Sequence, residues 1–305
     1  MGRRAEGRGD VTEPPPAERS RGGYARKPFA IRALRAFRWV VPGDYLQTFL
    51  YRILVRRPRR LMRVARSFYR FDHVYDVIEE ARRKYKGRFT ILEFGTSAGY
   101  AFTKILYATR YLGMADRITI HGFDTFEGMP ATEDRADQSA VRGEGWAEGE
   151  FAGSERDLEG HCRASGYDNF RLHAGLFADT LTPALLRQLE AAPPILVWID
   201  CDYYSSTKSV LERLVPVLPS GCVLYFDDVD FNHRSTLTGE MKAIRELNEG
   251  CYGDQIELVE DRNLGGDSQR VYRFVRLGEG PRLQRRFSRH RADWVRRPSG
   301  GSPLP

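Results

Sequence analysis

ILVWIDCDYY (195–204) and GCVLYFDDVDF (221–231) place four aspartates, Asp200, Asp202, Asp227 and Asp228, within one short stretch of chain. Each cluster closes a run of strand-forming apolar residues, Ile195 to Ile199 and Cys222 to Phe226, so the acids fall at two strand ends. Between them, SSTKSVLERLVPVL (205–218) sets Val210, Leu211, Leu214, Val215 and Leu218 at helical spacing behind a Ser/Thr start. The segment reads strand, helix, strand, a unit that crosses over right-handedly and returns parallel. Parallel neighbours lie ~4.8 Å apart, which predicts Asp200 beside Asp227 and Asp228. Three carboxylates that close repel one another, and a hard divalent cation with oxygen ligands, Mg²⁺ first, relieves the repulsion. Helix caps and solvated loop acids are the plainer explanation. That explanation suits Asp202 or Asp230 better than a pair of acids ending a buried strand.

About a hundred residues earlier, FTILEFGTSAGYAFTKILYATRYL (89–112) runs from a strand into a glycine-rich turn and then a helix with Phe102, Ile105, Leu106, Ala108 and Leu112 on its apolar face. The turn carries Glu93, Gly95, Ser97 and Gly99. It lacks the middle glycine that lets a backbone touch a dinucleotide pyrophosphate, which argues against NAD or FAD. An acid ending the first strand suits a cationic ligand such as the sulfonium of S-adenosylmethionine. The glycines also suit a strand-to-helix corner that needs φ > 0 and nothing more. RITIHGFDTFEGMP (117–130) then reads as the next strand, ending at Asp124. An acid there is placed to hold a nucleoside ribose through its hydroxyls, or to cap a turn.

Five blocks in order, Glu-Phe-Gly-Thr-Ser-Ala-Gly (93–99), Phe-Asp-Thr-Phe-Glu-Gly-Met-Pro (123–130), Gly-Leu-Phe-Ala-Asp-Thr-Leu (175–181), Asp-Cys-Asp-Tyr-Tyr-Ser-Ser-Thr (200–207) and Phe-Asp-Asp (226–228), resemble the macrocin O-methyltransferase family. These are class I S-adenosylmethionine-dependent enzymes that methylate sugar hydroxyls of antibiotics with Mg²⁺. The resemblance covers roughly residues 68–277 and implies an α/β, Rossmann-like sheet of seven strands with helices on both faces. It implies Asp200, Asp227 and Asp228 as metal ligands and Asp202 as general base. Apart from the resemblance, His233 of FNHRST, just past the acid pair, is the second candidate base, although a loop histidine is more often a bystander. Glu93, Gly95, Ser97, Gly99 and Asp124 would line the cofactor, and Phe177 would lie near its adenine. In the strand order of such enzymes DNFRLHAGLFADTL (168–181) supplies the third strand, GEMKAIRELNE (239–249) a late helix, and QIELVED (255–261) with RVYRFVRL (270–277) a closing hairpin. Cys201 stands where the family more often has Gly, and Tyr203-Tyr204-Ser205-Ser206 where it has Leu-Tyr-Glu-Ser. A metal-dependent catechol or phenol O-methyltransferase would use the same ligands with an aromatic acceptor. A non-catalytic protein retaining the fold and anchored by its basic ends is the third reading, against which the presence of all four aspartates counts.

Charge divides the chain. Residues 1–70 carry 18 Lys and Arg against 5 acids, and residues 281–305 carry 7 Arg against 1 acid, while residues 71–280 hold 35 acids against 23 Lys and Arg. The core is acidic and its ends are basic, so either the ends fold on the core or they reach an anionic partner. Residues 1–30 read as a disordered basic arm, and residues 31–66 as an amphipathic basic helical extension, expected to pack on the catalytic domain or across a homo-oligomer rather than to lie on an anionic membrane. The methyltransferase domain is expected at 67–278, with 131–161 as a mobile lid loop, and 279–305 as a basic disordered tail. RLMRVARSFYRFDHVYDVIEEARRKYKG (60–87) reads as a helical cover over the sheet. Four cysteines without a C-x-x-C pair are expected to be reduced and mostly buried. With no apolar stretch of 18 residues and no signal-peptide pattern, a cytoplasmic enzyme is expected, peripheral at a membrane at most. No nucleic acid partner is expected.

Overall fold

The computed structural model describes residues 71–140, 145–264 and 270–286. The arm at 1–30, the extension at 31–66 and the tail beyond 286 lie outside the described residues. In chain order the elements are α1 (Asp72–Lys84), β1 (Phe89–Phe94), α2 (Tyr100–Tyr111), β2 (Ile118–Asp124), α3 (Glu155–Ala164), β3 (Phe170–Ala174), the single turn α4 (Phe177–Thr180), α5 (Pro183–Ala191), β4 (Pro194–Ile199), α6 (Tyr204–Leu214), β5 (Val223–Phe226), α7 (Gly239–Asn248), β6 (Ile256–Glu260) and β7 (Val271–Arg276).

The strands form one seven-stranded sheet in the order β3-β2-β1-β4-β5-β7-β6. The first five of these are parallel, and β7 runs antiparallel to both β5 and β6. Every residue of β1, β4 and β5 is buried, as helices on both faces require of central parallel strands; that is why these read as unbroken apolar runs and not as an alternation. Successive residues serve opposite faces. Ile91, Leu196, Trp198 and Tyr225 join α1, α2 and α3 in one core, while Leu92, Val197, Ile199 and Phe226 join α5, α6 and α7 in the other.

Helix α6 shows how the pattern becomes packing. Val210, Leu211 and Leu214, at the i, i+1, i+4 positions of its inner face, are fully buried, each worth roughly 1.5–3 kcal/mol when removed from water. In α1 the expected inward positions Val74, Ile78 and Ala81 are likewise buried, so the second half of the 60–87 run does cover the sheet. Among the described residues all four cysteines are free, with Cys162, Cys201 and Cys222 buried and Cys251 exposed.

Two stretches differ from expectation. The segment 131–161 is not one loop: it holds a 3-10 turn at Arg135–Asp137 and, from Glu155, the first part of α3. Ser154 caps that helix by accepting from the Asp157 N–H, with Glu155 and Asp157 in the first turn, and Leu158 and Cys162 seat it in the core; four-residue spacing of only two apolar anchors is what hid it. The opening of the expected tail also has structure. Residues 282 and 285 make isolated β-bridges with Ser220 and Tyr85, the Arg286 N–H donates to the Lys84 carbonyl at 2.8 Å, and Leu283 packs on the core.

Candidate active site

Chain connectivity runs from β1 outward to β3 and then returns to lay β4 on the other side of β1. The carboxyl ends of β1 and β4 therefore flank the point where strand order reverses, the position at which open α/β sheets bind ligands. Glu93 and Gly95 close β1, and Asp200 closes β4.

Parallel pairing sets Trp198 opposite Tyr225 and Ile199 opposite Phe226, so Asp200 emerges beside Asp227. Asp200, Asp227 and Asp228 each offer a carboxylate oxygen, and these oxygens lie within 4.8 Å of one another. Each acid is held by a neighbour. Trp198 Nε1 donates to Asp200 Oδ2 at 3.4 Å, Tyr225 Oη donates to Asp227 Oδ1 at 2.6 Å, and the Asp228 N–H donates to Glu240 Oε2 at 2.8 Å. The guanidinium of buried Arg270 lies 3.8 Å from Asp227 Oδ1 and pairs with Asp230. Trp198 and Tyr225 in turn stack on the buried ring of His73 from α1, centroids 5.3 and 4.3 Å away. Burial drives the His73 pKa down to about 3, so the ring is neutral packing.

The electrostatics are those of a crowded anionic pocket. Burial first, then Asp227 and Asp228, hold Asp200 well above the carboxylate range. Burial and then Asp228 push Asp202 up to about 10, and burial and then Asp227 push Asp228 to about 7. Asp202 sits at φ 58°, a left-handed conformation that a residue with a Cβ adopts only when its surroundings hold it there. Asp228 Oδ2 and Glu240 Oε1 are buried without a hydrogen-bond partner. Clustered hard oxygens, raised proton affinities and an unsatisfied carboxylate oxygen together fit a hard divalent cation, whose charge would displace those protons.

On the other side of the reversal point, Gly95 has φ 88° and lies so close to the β4 end that a Cβ would meet the Asp200 carbonyl oxygen at 1.7 Å. Only glycine permits both the angle and the approach. Gly99 begins α2 at φ 75°, and Ser97 between them lies at φ 45°. The Ser97 N–H donates to Asp124 Oδ2 at 2.7 Å and the Phe126 N–H to Asp124 Oδ1 at 2.6 Å. Asp124 thus does cap both turns, and each oxygen retains a lone pair for a further donor. Glu93 is buried with Oε2 unpartnered, and burial followed by Asp200 holds its carboxyl well above the usual range. Phe177 stands edge-on to Phe94, the last residue of β1, centroids 5.2 Å apart.

The structure brings Asp200, Asp202, Asp227 and Asp228 together, and joins Ser97 to Asp124. His233 is exposed in a 3-10 turn at Phe231–Arg234. Sequence reasoning missed Trp198, Tyr225, Glu240 and Arg270. The first two had a signal, since each precedes its aspartate by two residues and a strand sets i and i+2 on one face. Glu240 and Arg270 had none, because they arrive from a different helix and from the residue just before a different strand.

Residues 65–252 match the sequence profile of a family described as macrocin-O-methyltransferase (TylF). A solved calicheamicin methyltransferase, CalS11, superposes with a TM-score of 0.52 at 22% sequence identity, covering 88% of this chain and 100% of that chain. The O-methyltransferase NovP aligns with a TM-score of 0.47 at 19% identity over 68% of this chain and 79% of that one. No curated protein matches the sequence significantly. Fold and profile define an S-adenosylmethionine-dependent methyltransferase. The chain belongs to the macrocin O-methyltransferase family.

Proposed function

We propose that this enzyme transfers a methyl group from S-adenosylmethionine to a hydroxyl of a sugar or glycosylated small molecule, with a divalent cation, Mg²⁺ first, held by Asp200, Asp227 and Asp228. The observation that carries the reading is the convergence of those three carboxylates within 4.8 Å, one strand away from the Glu93–Gly99 turn. Family membership supports the sugar acceptor.

The methyl of S-adenosylmethionine is already activated by its sulfonium, and a bound divalent cation lowers the pKa of a coordinated hydroxyl by many units. The remaining work falls to the chain. Buried Glu93, whose Oε2 has no partner, would meet the cationic amino-acid end of the cofactor, the Gly95–Gly99 backbone would approach it closely, and Asp124 would accept from ribose hydroxyls. Phe177 would border the adenine. Asp202 would take the proton of the acceptor hydroxyl. Burial and then the same carboxylates that would hold the cation raise its own proton affinity, so loading the pocket would remove the second of these causes and favour Asp202 as a base. Its place beside the acidic cluster favours it over exposed His233. We assign catalysis to residues 67–278 and attachment, to the core or to an anionic surface, to the basic ends.

The test is a two-stage assay on the full chain. Calorimetry with S-adenosylmethionine, with and without Mg²⁺, should show cofactor binding. Mass spectrometry after incubation with glycosides, nucleotide sugars and catechols should then show one added methyl on a sugar and none on a catechol. Methylated catechols with untouched sugars would overturn the acceptor assignment.

A further inference from the structure

Two loops carrying the acids of the pocket are tied to one segment. Asn232, four positions after Asp228, is buried and begins a run of three non-glycine residues, Asn232, His233 and Arg234, at φ 48°, 59° and 64°. Residues with a Cβ hold such angles only against resistance. All the bonding capacity of the Asn232 amide is used. Its Oδ1 accepts from the Ala140 N–H at 2.7 Å and Ser139 Oγ at 3.4 Å, and its Nδ2 donates to the Gln138 carbonyl at 3.0 Å and Thr238 Oγ1 at 2.9 Å. Next to Gln138 in the chain, buried Asp137 accepts from the Ser205 N–H at 2.9 Å, Ser205 Oγ at 2.6 Å and Thr132 Oγ1 at 2.7 Å.

Ser205 lies three residues beyond Asp202, in the first turn of α6, where a backbone N–H has no acceptor within its own helix and a carboxylate is favoured by the helix dipole. Asp137 thus supplies from outside the cap that α6 lacks from its own N-terminal residue. A third tie comes from the same excursion of the chain: Trp146 packs on Phe231 and Tyr203, ring centroids 4.5 and 6.0 Å away. Tyr203 follows Asp202, and Phe231 precedes Asn232. The loop after β4 and the loop after β5 are therefore spanned by residues 132–140.

We propose that Asn232 and Asp137 are positioning residues that make segment 132–140 a strut, fixing the loop that carries Asp202 relative to the turn that carries Asp227 and Asp228. The strut sets how firmly the pocket grips its cation, and this part rests on the metal reading above. It also predicts communication between two residues that do not touch: removing the Asn232 side chain should loosen Ser205.

Asn232→Gly is the informative variant, because glycine tolerates φ 48° and only the side-chain bonds are lost. In the full chain, hydrogen exchange at the Ser205 amide should speed up by about tenfold while the Leu92 and Val197 amides of the sheet keep their protection. Release of Mn²⁺, used as the probe ion, should speed up by about tenfold as well. Asn232→Asp keeps the acceptor for Ala140 and should recover part of both effects. Asp137→Asn combined with Asn232→Gly should be no worse than the worse single variant, since both act through one segment. Unchanged Ser205 exchange in Asn232→Gly overturns the strut, as does additivity of the two substitutions or loss of protection throughout the sheet. Wild-type protein that binds no Mn²⁺ sinks the metal reading and the grip with it, and the exchange result still decides the strut.

Discussion

Asp228 and Glu240 meet through the backbone, the Asp228 N–H donating to Glu240 Oε2 at 2.8 Å. Glu240 is completely buried at the first turn of α7, and burial followed by Asp228 holds its carboxyl well above the carboxylate range. A buried carboxyl on one helix therefore orients the acidic turn that follows β5. Ligand carboxylates commonly depend on such outer partners.

Glutamine offers the same oxygen without the acid, so Glu240→Gln should keep near-normal stability and metal affinity. Glu240→Ala leaves the Asp228 N–H unpaired in a buried place and should cost about 1–3 kcal/mol. Urea denaturation of the two variants checks this. Equal losses would show that volume rather than the hydrogen bond matters.

Asp227→Asn and Asp228→Asn should abolish turnover and the response to divalent cations, while S-adenosylmethionine still binds at the Glu93–Gly99 turn. Calorimetry for the cofactor beside an activity titration with Mg²⁺ reads both. Full activity of the wild-type enzyme in EDTA would count decisively against the metal.

Gly95→Ala should remove cofactor binding, because its Cβ would fall 1.7 Å from the Asp200 carbonyl oxygen; it should also disturb the acids that follow. Asp124→Ala should weaken cofactor binding by ~1.5–3 kcal/mol, the scale of hydrogen bonds to a charged group. Unchanged affinity in either variant would mean that the nucleoside lies elsewhere.

Asp202 and Asp228 bind protons more tightly in the folded chain, up to about 10 and about 7, than as ordinary carboxyls. A raised carboxyl pKa contributes stability below its unfolded value and loses it as pH rises through the folded value, since the folded state then holds more protons than the unfolded. The metal-free melting temperature should therefore fall between about pH 7 and about pH 9, above the range in which His73, His121 and His173, their pKa values lowered by burial, add stability as pH rises. Mg²⁺ should flatten that fall and release protons on binding, which calorimetry in buffers of different ionisation enthalpy measures. A melting temperature that climbs over this range in EDTA would contradict the crowding of acids.

Much of the frame was legible in the chain because central parallel strands, covered on both faces, must be apolar throughout. Ile195 to Ile199 and Val223 to Phe226 are such runs, and the acids that end them stand out for that reason. The glycine at 95 was visible as a turn residue. That its Cβ would strike the Asp200 carbonyl was not, since the contact joins strands about a hundred residues apart. Helix α3 was read as loop because two buried anchors, Leu158 and Cys162, are too few to reveal a helical period among acids and glycines.

What the sequence alone determined is the order of strands and helices, the two acid-bearing strand ends and the glycine corner, because hydrophobic period and turn chemistry are local properties. Only the tertiary structure decided which groups govern those acids. Trp198, Tyr225, Glu240, Arg270, Asn232 and Asp137 reach them from several elements, and the proton affinities of Asp200, Asp202 and Asp228 follow from burial and mutual repulsion. Both effects act through space, at separations that arise only once β4 and β5 lie side by side.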